Sequence, residues 1–122
     1  MTNKKKEKDH QKLIIKFCRK MNIPIWASAS GLYCPNHAMA SELRATGIIA
    51  EKGEPDLFIP IVKRKDGIII SGGLFIELKR EGGKASDEQL KKIAYYNNSG
   101  YVARVIEGAD KAIEFIQEYL KI

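Results

Sequence analysis

Three charged residues lie at the edge of, or inside, two apolar runs near the middle of the chain. Asp56 follows Pro55 at the start of the first run, and Glu77 and Lys79 lie inside the second, Leu-Phe-Ile-Glu-Leu-Lys at 74–79. A carboxylate inside an apolar strand is costly unless it is paired or has a task. Two carboxylates from neighbouring strands would converge on a hard cation, which takes oxygen ligands. The pattern therefore predicts a metal-dependent phosphodiesterase site.

The alternation of side chains along the second run groups these residues. Successive side chains of a β-strand point to opposite faces, so Phe75, Glu77 and Lys79 share one face and the apolar residues at 74, 76 and 78 share the other. The alternative is that Asp56 is only a turn residue. Glu77 and Lys79 would then be an ion pair on an edge strand, worth about 0–1 kcal/mol.

The elements that must position these residues are predicted from hydrophobic periodicity and from turn residues. Helices are predicted at about 5–21, 36–46, 86–98 and from about 109 onward, and strands at 57–62, 68–70, 74–79 and 101–106, with a possible short strand at 25–27. Ser86 and Gln89 fit a capping box at the start of the third helix. With the short strand set aside, the order α-α-β-β-β-α-β-α predicts an α/β fold, a mixed β-sheet flanked by helices.

Two details of this outline depend on local sequence. The strands at 57–62 and 68–70 are joined through Lys-Arg-Lys-Asp-Gly at 63–67, and Asp-Gly between apolar runs is a hairpin signal. Pro60 indicates that the first of these strands lies at an edge or is kinked. In the second helix, we expect Ala38, Met39 and Leu43 to face inward.

Other distinctive side chains receive structural interpretations. The two cysteines are expected to be buried or half-buried thiols, because no second Cys/His pair stands at the spacing of a zinc site. The two histidines are expected to be structural or surface residues. The larger aromatic residues are more typical of a core or an interface than of platforms for stacking bases. These residues are Cys18, Cys34, His10, His37, Trp26, Tyr95, Tyr96 and Tyr101.

Length and charge restrict the class of protein. A chain of 122 residues is expected to form one domain, residues 1–122. It has no apolar run near the ~18 residues of a membrane span and no signal-peptide pattern, so a cytoplasmic location is expected. The first 20 residues hold eight basic and two acidic residues, while the other 102 hold thirteen of each. Such a basic arm suits a polyanion such as nucleic acid, or it is a solvated helix face that confers solubility.

A series of short motifs resembles one group of nucleases. Gly-x-Pro-Asp at 53–56, Ile-Glu-Leu-Lys at 76–79 and Ser-x-x-Gln at 86–89 follow one another as in the PD-(D/E)XK nuclease superfamily. More closely, they resemble the stand-alone VRR-NUC (virus-type replication-repair nuclease) domains of phages and prophages. Glu7 and Gln11 on the first helix, with the closing strand and helix, extend the resemblance over nearly the whole chain. It implies a restriction-endonuclease-like fold.

The resemblance implies a DNA endonuclease that depends on Mg²⁺ or Mn²⁺. Asp56 and Glu77, with the backbone carbonyl of Leu78, would hold the ion through oxygen ligands and several waters. Glu7 would add a carboxylate from the first helix, directly or through water. The ion would lower the pKa of a bound water and neutralise charge on the scissile phosphate. From spacing alone, Glu7 is a solvated helix residue.

Two further residues receive catalytic roles from the same resemblance. Lys79 would orient the attacking water or stabilise the charge of the transition state. Gln89 would help to position Lys79 or the nucleophile from the start of the neighbouring helix. A capping role explains Gln89 equally well, and the two roles are compatible.

Basic residues around the motifs are candidate phosphate contacts, which would give affinity without sequence information. They are Lys63, Arg64, Lys65, Arg80, Lys84, Lys12 and Lys16. The basic segment at 63–65 can also be a solubilising turn. The resemblance further implies a homodimer, because one small domain addresses one strand, and a substrate of branched or junction DNA, to which a symmetric pair presents two sites.

Two other functions compete with this interpretation. One is a different nuclease of the superfamily, such as a RecB-like exonuclease or a restriction-type enzyme. The other is a non-catalytic DNA-binding module that retains the fold. Retention of Asp56, Glu77 and Lys79 argues against the second, because two carboxylates facing a polyanion weaken simple binding.

Overall fold

The computed structural model describes residues 6–29 and 34–121. The elements found there are α1 (Glu7–Lys20), β1 (Trp26–Ala27), α2 (His37–Ala45), β2 (Leu57–Ile59), β3 (Lys63–Lys65), β4 (Ile68–Ser71), β5 (Leu74–Lys79), α3 (Asp87–Asn98), β6 (Val102–Glu107) and α4 (Ala109–Leu120). The predicted α/β fold with a mixed sheet is confirmed. No helix in the described ranges is long and apolar enough to span a bilayer.

The main sheet has the strand order β1-β2-β5-β6. β1 pairs with β2 and β2 pairs with β5 in antiparallel directions, whereas β5 and β6 are parallel and are joined by α3. β5 therefore has a hydrogen-bonded neighbour on each side. Four of its six residues are buried, and Phe75 and Lys79 are half-buried. The strand that carries Glu77 is thus one of the two central strands of this sheet.

The two faces of β5 have different partners, as the period of two predicts. The face formed by the residues at 74, 76 and 78 packs against α1 and α4, which contribute Ile14, Cys18 and Ile116 to one buried cluster. The other face carries Phe75, which stacks on Tyr96 of α3 with ring centroids 3.9 Å apart. Cys18 is buried, which raises the pKa of its thiol to about 11, and Cys34 is half-buried.

The basic segment at 63–65 is a strand and not the loop that was predicted. β2 ends at Ile59, directly before Pro60, and Lys63–Lys65 forms β3, which pairs with β4 as a separate two-stranded sheet. Only Asp66 and Gly67 form the turn, with φ of 53° and 78°. Two successive residues with positive φ match the twist of a tight hairpin, so their neighbours pair as strands.

The second helix differs from the prediction in its burial. Asn36 caps it, since the Asn36 side chain accepts a hydrogen bond from the Met39 amide at 2.8 Å. However, α2 has no buried residue: Ala38 and Met39 are exposed, and Leu43 is only half-buried. The predicted inward orientation is therefore wrong for Ala38 and Met39. The apolar face of a helix is buried only where another element packs against it, and α2 packs little against the other described elements.

Candidate active site

The pairing of β2 with β5 brings the two predicted carboxylates together. Leu57 lies opposite Ile76 in the antiparallel register, so the next pair along the ladder is Asp56 and Glu77. Asp56 is fixed there by its own side chain, because its Oδ2 accepts a hydrogen bond from the Leu78 amide at 2.7 Å. At this end of the ladder, the Asp56 carboxylate is the acceptor that a backbone carbonyl would otherwise be for the Leu78 amide.

Glu77 is buried without full hydrogen bonding. Its side chain is 2% exposed, and its Oε2 has no hydrogen-bond partner within residues 6–29 and 34–121. Burial, and secondly the neighbouring charge of Asp56, raise the pKa of Glu77 to about 8. Burial also raises the pKa of Asp56, although its bond to the Leu78 amide opposes the rise. Without a cation, the pair therefore retains a proton near neutral pH.

The loop before Asp56 is held against the start of α3. Gly53 has a φ of 91°, and a Cβ there would lie 3.0 Å from the backbone oxygen of Glu88, so only glycine fits without displacement. Glu54 accepts a hydrogen bond from the Tyr96 hydroxyl at 2.6 Å and lies 2.9 Å from Lys92 Nζ. These contacts restrict the position of the chain just ahead of Asp56.

Lys79 links the carboxylates to the first helix. Its Nζ lies 3.5 Å from Glu77 Oε1 and 3.7 Å from Glu7 Oε1, and its side chain is 11% exposed. A largely buried ammonium between two carboxylates compensates part of their negative charge. The structure therefore brings Glu7, Glu77 and Lys79 together, although Glu7 is separated from Glu77 by 70 positions in the sequence.

The donor atoms fit a hard divalent cation better than zinc. Mg²⁺ binds through one or two carboxylates and keeps several waters, whereas Zn²⁺ takes three or four nitrogen, sulfur or oxygen ligands from the protein. In the described part of the chain, no three His, Cys, Asp or Glu side chains are gathered as a ligand set. Asp56 and Glu77, with the unpartnered Oε2, suit the first case. Direct ligation by Glu7 and by the Leu78 carbonyl stays a prediction.

Gln89 is engaged in the cap of α3. Its Oε1 accepts a hydrogen bond from the Ser86 amide at 2.8 Å, and the Ser86 hydroxyl accepts one from the Gln89 amide at 3.2 Å. The predicted capping box is thus confirmed. No hydrogen bond joins Gln89 to Lys79 in the described residues, so the catalytic role of Gln89 stays a prediction.

The candidate phosphate contacts fall into separate groups. Arg80 and Lys84 are exposed in the segment directly after β5, next to the carboxylates in sequence. Lys63 Nζ lies 5.3 Å from the centre of the Tyr119 ring. Tyr119 is in the last turn of α4, about 15 Å from the start of the helix at a rise of about 1.5 Å per residue. Arg64 and Lys65 are exposed on the same strand. The segment 63–65 therefore lies at the far end of the sheet from Lys79.

The last two candidates, Lys12 and Lys16, lie on the outer face of α1. Helical spacing sets them opposite His10, Ile14 and Cys18, which are the buried residues of this helix. They line a shallow groove with other basic residues of α1 and do not face the carboxylates. The structure therefore keeps them apart from the site.

His10 is a residue whose contribution the sequence did not reveal. It is 6% exposed, and its Nδ1 accepts a hydrogen bond from the Ala109 amide at 3.0 Å, at the start of α4. The preceding amide, that of Gly108, donates to the Lys79 carbonyl at 2.8 Å. His10 thereby docks the turn of α1 that carries Glu7 beside the end of β5. The available signal was the position of His10 three residues after Glu7, on the same helix face.

We expect His10→Phe to lower the free energy of unfolding by about 1–2 kcal/mol, because it leaves a buried amide at the start of α4 without an acceptor. The same change should slow the DNA cleavage that the resemblance implies, since it frees the turn that carries Glu7. His10→Asn retains an acceptor near the position of Nδ1 and should recover part of both losses. Urea unfolding and cleavage rates measure the two effects.

The matched control for His10 is His37→Asn, at an exposed histidine of α2. It should change neither quantity. Equal losses in His10→Phe and His10→Asn would contradict the role of the acceptor.

Comparisons with known proteins give matches of two kinds. The sequence model described as the VRR-NUC domain matches residues 33–110, a range that contains Asp56, Glu77, Lys79 and Gln89. A solved structure described as a VRR_NUC domain protein has the same fold, with a TM-score of 0.74 and 24% sequence identity, over 98% of this chain and 91% of that chain. No curated protein matches the sequence.

Proposed function

This chain belongs to the VRR-NUC domain family, and on that premise we propose that it is a metal-dependent endonuclease that hydrolyses phosphodiester bonds of DNA. The family implies a nuclease-type, DNA-processing function. The observation that carries the finer proposal is the pair of carboxylates, Asp56 and Glu77, held side by side with Lys79 at the end of β5. A buried carboxyl oxygen without a partner has a physical reason to exist if it binds a cation.

Each residue of the site has a separate role in the proposed reaction. Asp56 and Glu77 would hold Mg²⁺ or Mn²⁺, with the Leu78 carbonyl as a further oxygen donor. When bound, the ion supplies a water of lowered pKa and compensates negative charge on the phosphate. Lys79 lies 3.5 Å from Glu77 Oε1 and can donate a hydrogen bond to the attacking water or to a phosphate oxygen. Glu7 holds the ammonium of Lys79 from its other side.

Gln89 has only a secondary role in this proposal. Its side chain would have to leave the cap of α3 to reach Lys79 or the nucleophile, because its Oε1 is bound to the Ser86 amide. Loss of one capping interaction costs about 1 kcal/mol, which binding of DNA can compensate.

The proposed substrate is branched or junction DNA, and the proposed assembly is a homodimer. Exposed Arg80 and Lys84 next to the site, and the distant basic strand at 63–65, would touch phosphates at separate places on a duplex. Contacts of this kind select shape and not sequence. Two copies related by a two-fold axis would present two sites to a symmetric junction.

The test is cleavage of a four-way junction, a flap, a linear duplex and a closed circle, each with Mg²⁺, Mn²⁺ or EDTA. We expect cutting only with a metal ion, and faster cutting of the branched substrates. Cutting of the closed circle separates an endonuclease from a RecB-like exonuclease. Binding of these DNAs without cutting by either ion would replace the proposal with a non-catalytic DNA-binding module.

A further inference from the structure

Trp26 is the single tryptophan of the chain and is 67% exposed. It lies on β1, the edge strand of the main sheet, where it pairs with Phe58 of β2. The two rings meet edge to face, with centroids 6.1 Å apart. The sequence favoured a core or an interface position for Trp26 over a platform for stacking bases, and the exposure contradicts the core position. Trp26 therefore presents an aromatic surface to solvent at the edge of the sheet.

Trp26 borders an open cavity of about 390 Å³. Its aromatic lining continues from Trp26 to Phe58 and Phe75, and Arg44 of α2 contributes a positive charge. This volume is within the range of sites for small organic groups, about 300–1,000 Å³. The cavity therefore has room for one planar group beside its aromatic lining.

The cavity lies next to the candidate active site along two strands, although the carboxylates themselves do not line it. Pro55, which lines it, directly precedes Asp56, and Phe75 shares the face of β5 that carries Glu77. The amide of Ser28, two residues after Trp26, donates to the Asp56 carbonyl at 2.7 Å. A DNA strand whose phosphate lies at the carboxylates would thus have its neighbouring bases near Trp26.

The charges around the cavity are compatible with DNA. Glu51 and Glu54 line it, but both face Lys92, whose Nζ lies 3.9 Å and 2.9 Å from them. Arg44 is the basic residue among the lining side chains. An aromatic face beside a guanidinium is the chemistry that stacks a nucleobase, worth about 1–3 kcal/mol per base.

We propose that this cavity binds one unpaired nucleobase of the DNA being cut, stacked on Trp26, and so selects substrates with an unpaired nucleotide next to the scissile phosphate. The inference rests on the proposed nuclease function and specifies its substrate. A base inside an intact duplex must first be unpaired and unstacked, which costs about a few kcal/mol, whereas an unpaired base avoids most of this cost. The site would therefore favour the branch of a junction or flap, where bases are already unpaired.

Fluorescence of Trp26 tests the proposal directly, because no other tryptophan contributes. The full chain is titrated in EDTA, where no cutting occurs, with three DNAs: a perfect duplex, the same duplex with one bulged nucleotide, and the same bulge with an abasic residue. We expect quenching by the bulged base and little change with the other two DNAs. This readout does not require catalysis.

Cleavage with Mg²⁺ provides the second measurement. Trp26→Ala should lower kcat/KM on the bulged duplex about tenfold and have little effect on the abasic bulge, which offers nothing to stack. Trp26→Phe, which retains a smaller ring, should lie between. Tyr95→Ala is the matched control: Tyr95 is 62% exposed but does not line the cavity. It should behave as wild type.

The possible outcomes distinguish the pocket proposal from the nuclease proposal. Equal quenching by all three DNAs, or binding of none of them, excludes specific stacking of an unpaired base. Quenching that depends on protein concentration without DNA, together with a doubled mass in light scattering, assigns this face to a second copy. Quenching by the bulged base without any cutting retains the pocket and rejects the nuclease. Cutting that is unaffected by Trp26→Ala retains the nuclease and rejects the pocket.

Discussion

Glu77→Gln is expected to reduce DNA cleavage on the order of 10³-fold or more while leaving the protein folded. The amide has the shape of the carboxyl group but no charge, so it cannot help Asp56 to hold a divalent cation. The fold should tolerate the change because Glu77 is buried, one of its oxygens has no partner among the described residues, and its pKa is raised to about 8. The measurement is the single-turnover cleavage rate with Mg²⁺, paired with urea unfolding.

The control for Glu77→Gln is Glu114→Gln, an exposed glutamate of α4 that lies outside the site. It should cut at the wild-type rate. DNA affinity in EDTA should be unchanged or slightly higher in Glu77→Gln, because a carboxylate facing phosphates weakens binding. If Glu77→Gln retained more than about one-tenth of the wild-type rate, the assignment of Glu77 as a ligand of the ion would be wrong.

Stability in the absence of metal should fall as the pH rises from about 4.5 toward 8. Glu77 has an ordinary pKa of 4.5, which applies to the unfolded chain, and a pKa of about 8 in the folded protein. Between these values the folded protein holds a proton that the unfolded chain has lost. The free energy of unfolding therefore decreases with pH by about 1.4 kcal/mol per pH unit at most, and this contribution is gone above pH 8. The raised pKa of Asp56 acts in the same direction.

Urea unfolding of wild type and Glu77→Gln in EDTA at pH 5.5 and pH 8 isolates this effect from other titrating groups. The wild type should lose on the order of a few kcal/mol more than the variant over this interval. Identical pH dependence of the two proteins would show that Glu77 titrates normally in the fold.

Addition of Mg²⁺ should reverse the loss. Because the cation binds the deprotonated carboxylates, it competes with protons and stabilises the wild type more at pH 8 than at pH 5.5. At a free Mg²⁺ concentration about a hundredfold above the dissociation constant, the melting temperature should rise by an amount equivalent to about 2.7 kcal/mol. Glu77→Gln should show a smaller rise at pH 8. An equal rise in both proteins would place the cation elsewhere.

Part of the architecture follows from short stretches of sequence. The α/β fold and the VRR-NUC resemblance were both predicted and are both confirmed. The capping box of Ser86 and Gln89 needs only four residues, and it forms as expected. The phage or prophage origin, the single domain over 1–122, the cytoplasmic location and the homodimer stay predictions, because no local pattern or contact tests them.

Burial and long-range distance could not be predicted in the same way. The segment 63–65 is a strand near Tyr119 and not part of the loop that joins two strands, because the tight Asp66–Gly67 turn lets its neighbours pair. Met39 and Trp26 are exposed because the described elements leave their faces open, which depends on packing and not on residue type.

That Glu77 and Lys79 share one face of a strand follows from local sequence, because the period of two is a property of the extended backbone. The position of Asp56 opposite Glu77 and its bond to the Leu78 amide depend on packing, since they need the register of β2 on β5. It also brought His10 to the amide of Ala109, 99 positions away. Contacts of such separation depend on how elements pack, and no local pattern of residues encodes them.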